Sequence, residues 1–95
     1  MEIRFYMDPE TDLPHIHSHG VDEQEVEDVL GRPLEDRPGS GGSRVAVGRT
    51  AAGRYLRVIF VPDDDADSVF VVTAYPLGWK VLRALRRRLK PGRRT

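Results

Sequence analysis

SRVAVGRTAAGRYLRVIFVPDDDADSVFVVTAY, residues 43–75, is the stretch that decides the fold. Three runs rich in β-branched and aromatic residues are separated by turn chemistry. Residues 43–49 form one strand. The Gly-containing link 50–53 folds it back on residues 54–61 as a hairpin. Residues 62–67 are an acidic turn. Residues 68–75 form a third strand, whose continuous apolar run predicts a central place covered on both sides. Strand parity sorts the side chains. Leu56, Val58 and Phe60 share one face, and Tyr55, Arg57 and Ile59 the other. On the third strand, Thr73 and Tyr75 oppose Phe70, Val72 and Ala74.

Beyond Tyr75, Pro76 fits the start of a helix over residues 77–90, which Pro91-Gly92 stop. Leu77, Val81, Leu82, Leu85 and Leu89 make its apolar stripe. Lys80, Arg83, Arg87 and Lys90 lie almost opposite. Towards the N-terminus, GRPLEDRPGSGG (31–42) holds six Gly or Pro and reads as a mobile surface loop. Before it, residues 21–30 form a helix. Asp22 N-caps it, Glu25 completes a capping box, Val21 and Val26 form a hydrophobic staple, and Gly31 and Pro33 end it. Residues 8–20 are polar and Pro-broken, hence loop. Residues 2–6 alternate charged and apolar as a half-buried strand. The order is β-α-β-β-β-α: an α+β fold with a small, mainly antiparallel sheet and its helices packed on one face. One domain spans 1–90, and a basic tail spans 91–95.

Composition narrows the function classes. Of 95 residues, 39% are hydrophobic and 32% charged, which suits a globular chain and excludes a disordered one. Without cysteine there is neither disulfide framework nor thiolate metal site. No apolar run approaches membrane-helix length, and MEIRFYMDPE has no signal-peptide core, so the expected location is the cytoplasm by elimination. Net charge is zero but divided. Residues 1–38 carry eleven acids and three bases, net −8; residues 39–95 carry four acids and twelve bases, net +8. From Lys80 onward there are eight Lys or Arg and no acid. Such a surface attracts polyanions, above all RNA or DNA.

HGVDEQEVEDVL (19–30), SRVAVGRT (43–50), GRYLRVIFV (53–61) and VFVVTAY (69–75), in this order, resemble the BrnT-like branch of the RelE toxin superfamily. They are closer still to a related family of short bacterial domains with a His-Gly-Val helix start and a closing Val-Thr-x-Tyr strand. The resemblance covers about residues 2–88. It implies a ribonuclease-like fold and, in the toxin branch, mRNA cleavage neutralised by a partner antitoxin. Two departures stand out. The branch ends its last strand in Ser-Ala-Arg where this chain has Thr73-Ala74-Tyr75. Its final helix carries Glu-Arg and then Tyr where this chain reads LRALRRR.

Metal-free RNA cleavage needs a base for the 2′-hydroxyl, a cation for the phosphorane and an acid for the leaving oxygen. With Phe60 and Phe70 under the helices, the free sheet face presents Arg44, Tyr55, Arg57 and Tyr75. Arg57 and Tyr75 are the catalytic candidates there. His19, where the resemblance also puts a histidine, is either the base or a structural hydrogen-bonding residue. Trp79, Lys80, Arg83, Arg86 and Arg87 extend the surface for nucleic acid, with the exposed indole as a stacking platform. His15, His17 and His19 share one face if extended, but no acid stands at ligand spacing. Asp63, Asp64, Asp65 and Asp67 lack the glycine and final glutamate of a calcium loop. GSGGSR (39–44) lacks the Gly-Lys-Ser/Thr of a phosphate loop and reads as a flap. No metal or cofactor is expected. Two readings stay open: a toxin-type endoribonuclease, and a diverged, non-catalytic module that binds a partner or nucleic acid.

Overall fold

The hairpin at the centre follows from its link. Thr50 N–H donates to the Arg54 carbonyl at 2.7 Å, and Arg54 N–H donates to the Thr50 hydroxyl at 3.0 Å. Gly53 closes the turn at φ +97°, a left-handed conformation that a side chain disfavours. In the computed structural model, which describes residues 1–64 and 67–90, the elements are β1 (Glu2–Phe5), β2 (Met7–Asp8), β3 (Leu13–Pro14), a 3-10 helix (His15–His19), α1 (Glu23–Gly31), β4 (Glu35–Pro38), β5 (Arg44–Arg49), β6 (Tyr55–Pro62), β7 (Ser68–Pro76) and α2 (Trp79–Leu89). The fold is α+β. Its main sheet runs β1-β7-β6-β5-β4, with β1 parallel to β7 and every other pairing antiparallel. The basic tail 91–95, the Pro91-Gly92 stop and Asp65 lie outside the described residues.

Helix α1 is built from local signals. Asp22 accepts from Glu25 N–H at 2.9 Å, and the Glu25 carboxylate accepts from Asp22 N–H at 3.1 Å, a complete capping box. The staple residues Val21 and Val26 are both buried. Val26 and Val29 then enter a core with Leu56, Val58, Val71 and Ala74. The helix lies close to the sheet because Gly48 leaves room for it. A Cβ there would meet Val29 Cγ1 at 3.1 Å.

The two helices take opposite faces of the sheet, where one shared face was expected. Residues directly opposed across strands lie on the same face. Gly48 stands opposite Leu56, on the α1 side. Glu35, Val47, Arg57 and Tyr75 stand in one row across β4, β5, β6 and β7, on the other side. Helix α2 crosses that second side. Arg88 donates to the Glu35 carboxylate from Nε at 2.7 Å and Nη2 at 3.0 Å, and the Arg86 guanidinium lies 5.8 Å from the Tyr55 ring. Leu85 is its buried anchor, fully covered, whereas Val81 is 37% and Leu89 40% exposed. An apolar stripe specifies that a helix covers something, not which side it covers.

Two further expectations change. Residues 35–38 form edge strand β4, paired with β5, so the loop divides into a short link at 32–34 and the Gly39–Ser43 turn. In β7 a bulge places Thr73 opposite Ile59 but Val71 opposite Phe60, leaving Val72 as an extra residue. Strict alternation is broken there. Phe60 is buried under α1, but Phe70 turns to the other face, where the Arg4 guanidinium lies 5.3 Å from its ring.

Candidate nucleic-acid interface

Backbone hydrogen bonds carry the 3-10 helix to the edge of β7. Tyr6 N–H donates to the Val71 carbonyl at 2.9 Å, and His15 N–H to the Tyr6 carbonyl at 2.8 Å. The helix therefore begins where the pairing of β1 with β7 ends. Ile16 anchors it in the core. Arg54 holds its far end, donating to the Gly20 carbonyl at 2.8 Å and to Glu25 Oε1 at 3.0 Å. The segment is helical rather than extended, so the histidine triplet divides. His17 points away and pairs with Glu23 at 2.7 Å, a bond that holds the Glu23 carboxyl below its ordinary range. His15 and His19, one helical turn apart, come together.

The result is a continuous line of rings. Tyr6 and His15 have centroids 5.9 Å apart, His15 and His19 5.2 Å, and His19 and Tyr75 5.9 Å. The Arg57 guanidinium follows, 5.9 Å from the Tyr75 ring centroid. The bulge puts Tyr75 on the arginine side. Arg57 is half-buried, and its Nε is buried without a hydrogen-bond partner, as is the Thr73 hydroxyl on the same face. Glu35, at the far end of the row, is held below the ordinary carboxylate range, first by the Arg88 hydrogen bonds and then by the charges of Arg88, Arg37 and Arg57. The side chains thus assembled are two imidazoles, two phenols and a guanidinium. They offer a base, an acid and a fixed cation along one line.

The predicted residues divide as follows. Arg57, Tyr75, Tyr55 and His19 meet at this line or beside it. Arg44 does not. It stands opposite Phe60, on the α1 side, and bonds Asp36 at 2.8 Å. Trp79 is 62% exposed at the start of α2, with Lys80 Nζ 5.6 Å and the Arg83 guanidinium 5.5 Å from its ring. Arg86 lies over Tyr55, and Arg87 is exposed. His15, Tyr6 and Arg49 were not foreseen. The i, i+4 spacing of His15 and His19 after Pro14 would have placed the two histidines together, given a helix. Arg49 is legible by parity, since it stands opposite Tyr55.

Many of the chain's carboxylates are used internally. Asp28 accepts from Ala51 N–H, Glu25 from Arg54, and Asp63 from Arg4 and Ser68, which holds Asp63 below its usual range. Among the described residues no three or more His, Cys, Asp or Glu gather as a metal-binding group. None of their helices is long and apolar enough to cross a membrane. A depression of about 890 Å3 near the end of α1, lined in part by Glu27, Arg32, Leu34 and Arg49, shares no residue with the line of rings. Along that line Tyr6 and His19 are exposed and His15, Tyr75 and Arg57 half-buried, an accessible strip against which a polymer strand can lie.

A family model described as "Domain of unknown function (DUF4258)" matches residues 15–76. The match runs from the first histidine of the line to the end of β7. No curated protein and no solved structure matches the chain.

Proposed function

This chain belongs to the DUF4258 family, and from the geometry of its second sheet face we propose that it is a metal-independent endoribonuclease of the RelE/BrnT-like toxin type, held in check by an antitoxin partner. One observation carries the reading: His19 lies against Tyr75, and Tyr75 against Arg57. His19 takes the proton of a ribose 2′-hydroxyl. The 2′-oxygen bonds phosphorus, the P–O5′ bond breaks, and Tyr75 protonates the departing 5′-oxygen. The products are a 2′,3′-cyclic phosphate and a 5′-hydroxyl. Arg57 offsets the charge of the phosphorane, the role that a metal ion plays in other nucleases. Proton exchange with solvent returns His19 and Tyr75 to their starting states. The basic side of α2, with Trp79, Lys80, Arg83, Arg86 and Arg87, holds the flanking strand.

The test is cleavage of single-stranded RNA by the purified protein, with and without ribosomes, alongside regulated expression scored for growth and mRNA decay. Cleavage should survive EDTA. Tyr75→Phe and Arg57→Gln should each lower the rate about a hundredfold, the usual cost of losing one proton-transfer or electrostatic group. Thermal stability should stay nearly intact. A second reading rests on Tyr75 standing where the toxin branch has arginine: a non-catalytic module that binds nucleic acid. Absence of cleavage and of growth arrest, with RNA binding retained, replaces the first reading with the second.

A further inference from the structure

Beside the line of rings, the same face carries a second convergence of charge. Tyr55 precedes Arg57 by two residues on β6 and shares its face. The Arg49 guanidinium, from the end of β5, lies 5.9 Å from the Tyr55 ring, and the Arg86 guanidinium, from α2, lies 5.8 Å from it. Three elements thus deliver two cations to one phenol ring. Other arginines of the chain are neutralised: Arg4 by Asp63, Arg44 by Asp36, Arg54 by Glu25 and Arg88 by Glu35. Arg49 and Arg86 bond no carboxylate among the described residues. Both lie within 6 Å of one ring centroid, so they stand no more than about 12 Å apart. Cation–π contact with the ring holds each in place. An anion beside the ring would be drawn by both.

We propose that Arg49, Tyr55 and Arg86 form a second phosphate subsite, one nucleotide step from the scissile phosphate at Arg57 and Tyr75. The proposal rests on the ribonuclease reading and deepens it by setting the minimum substrate. Same-face positions two residues apart on a strand are separated by about 6.5–7 Å, the order of one phosphate-to-phosphate step in an extended single strand. Guanidinium forks match phosphate oxygens in pairs, so two of them converging on one phosphate give both charge and direction. Tyr55 acts as the spacer that keeps the forks apart and presented. The protein thereby reads two consecutive phosphates, and a single internucleotide linkage is a poor substrate.

The test compares a dinucleoside monophosphate with the same step extended by one nucleotide at its 5′ or its 3′ end. One of the two extensions should lower KM about tenfold, the size of one charge-assisted hydrogen bond at a partly exposed site. Arg49→Gln and Arg86→Gln should each abolish that gain. A gain that survives both substitutions, or a loss in kcat in place of KM, overturns the subsite. The second arm uses a 2′-deoxy oligonucleotide, which has no 2′-hydroxyl to attack. Each substitution should reduce the slope of log K against log salt by about 0.7. If the wild type cleaves nothing and the slopes still fall, the subsite stands and the ribonuclease reading is lost. Unchanged slopes, or no binding by the wild type, overturn the subsite whatever the activity. Arg86 is on the exposed side of α2, so its variant remains informative if the Arg49 variant folds poorly.

Discussion

The α1 side and the α2 side of one sheet are built on opposite principles. The first is dry and aliphatic. Val26, Val29, Leu56, Val58, Val71 and Ala74 are fully covered, and a capped helix closes over a glycine. The second carries Arg57, Tyr55, Tyr75 and Arg49 under a helix with one fully buried residue, Leu85, and it leaves the Arg57 Nε and the Thr73 hydroxyl buried without partners. An unpaired buried polar group costs about 1–3 kcal/mol. A fold tolerates that expense on one side when the other side supplies the stability. Stability and chemistry are thus separated by the thickness of a single sheet.

The largest test of this contrast removes one leucine from each side. Leu56→Ala should lower global stability by about 2–5 kcal/mol in denaturant unfolding. Leu85→Ala should cost clearly less, because it releases α2 while the α1 core persists. Amide exchange separates the cases: accelerated exchange confined to α2 for Leu85→Ala, and throughout the sheet for Leu56→Ala. Equal costs with uniform acceleration would mean that the two sides form one cooperative core. A smaller effect belongs to the cap. Asp22→Ala breaks the capping box of α1 and should cost about 1 kcal/mol, or roughly 4–8 °C in thermal midpoint for a domain of this size. It should leave RNA cleavage unchanged.

The smallest effect lies at the Arg88–Glu35 clasp and depends on pH. Glu35 titrates below its ordinary value in the folded chain because Arg88 bonds its ionised form. A carboxylate depressed in this way adds stability above its unfolded pKa, and the contribution disappears as pH falls through the folded one. Acidification should therefore loosen the C-terminal end of α2 before the α1 side responds. Amide exchange at residues 85–89 reports it, and Glu35→Gln should remove the pH dependence. An identical pH response of both sides would end the distinction.

What was legible in the chain follows the range of the interaction. Helix α1 and its cap are specified within residues 21–31, and the β5–β6 hairpin within residues 43–62, so local chemistry sufficed. Strand β4 hides among six Gly and Pro because its strand partner is β5, across a turn, and pairing overrides the loop-like composition. The histidines were read as part of a loop because nothing near them announces a short 3-10 helix. Its hold comes from Tyr6 and Arg54, distant in sequence. Arg57, Tyr75 and His19 were each identifiable by parity or position. That they touch depends on the bulge and on the edge of β7, and neither leaves a Gly or Pro signature at the bulged residue, Val72. Arg44 was misassigned because parity fixes alternation within a strand and not the register between strands.

The extra residue in β7 has an evolutionary consequence. Val69 and Val71, before it, serve the interior, while Thr73 and Tyr75, after it, serve the exterior, because Val72 resets the phase between them. Regular pairing with Val72 kept would return Tyr75 to the α1 side and deliver Ala74 to Arg57 in its place, whereas loss of Val72 would close the bulge with Thr73 still opposite Ile59 and Tyr75 still opposite Arg57. A lineage could thus silence the reactive line by a one-residue slip of the pairing after the break, with the residues before it still in their places. In this fold, the pairing register of β7 is as consequential for activity as substitution, and it is the first thing to inspect when related chains are compared.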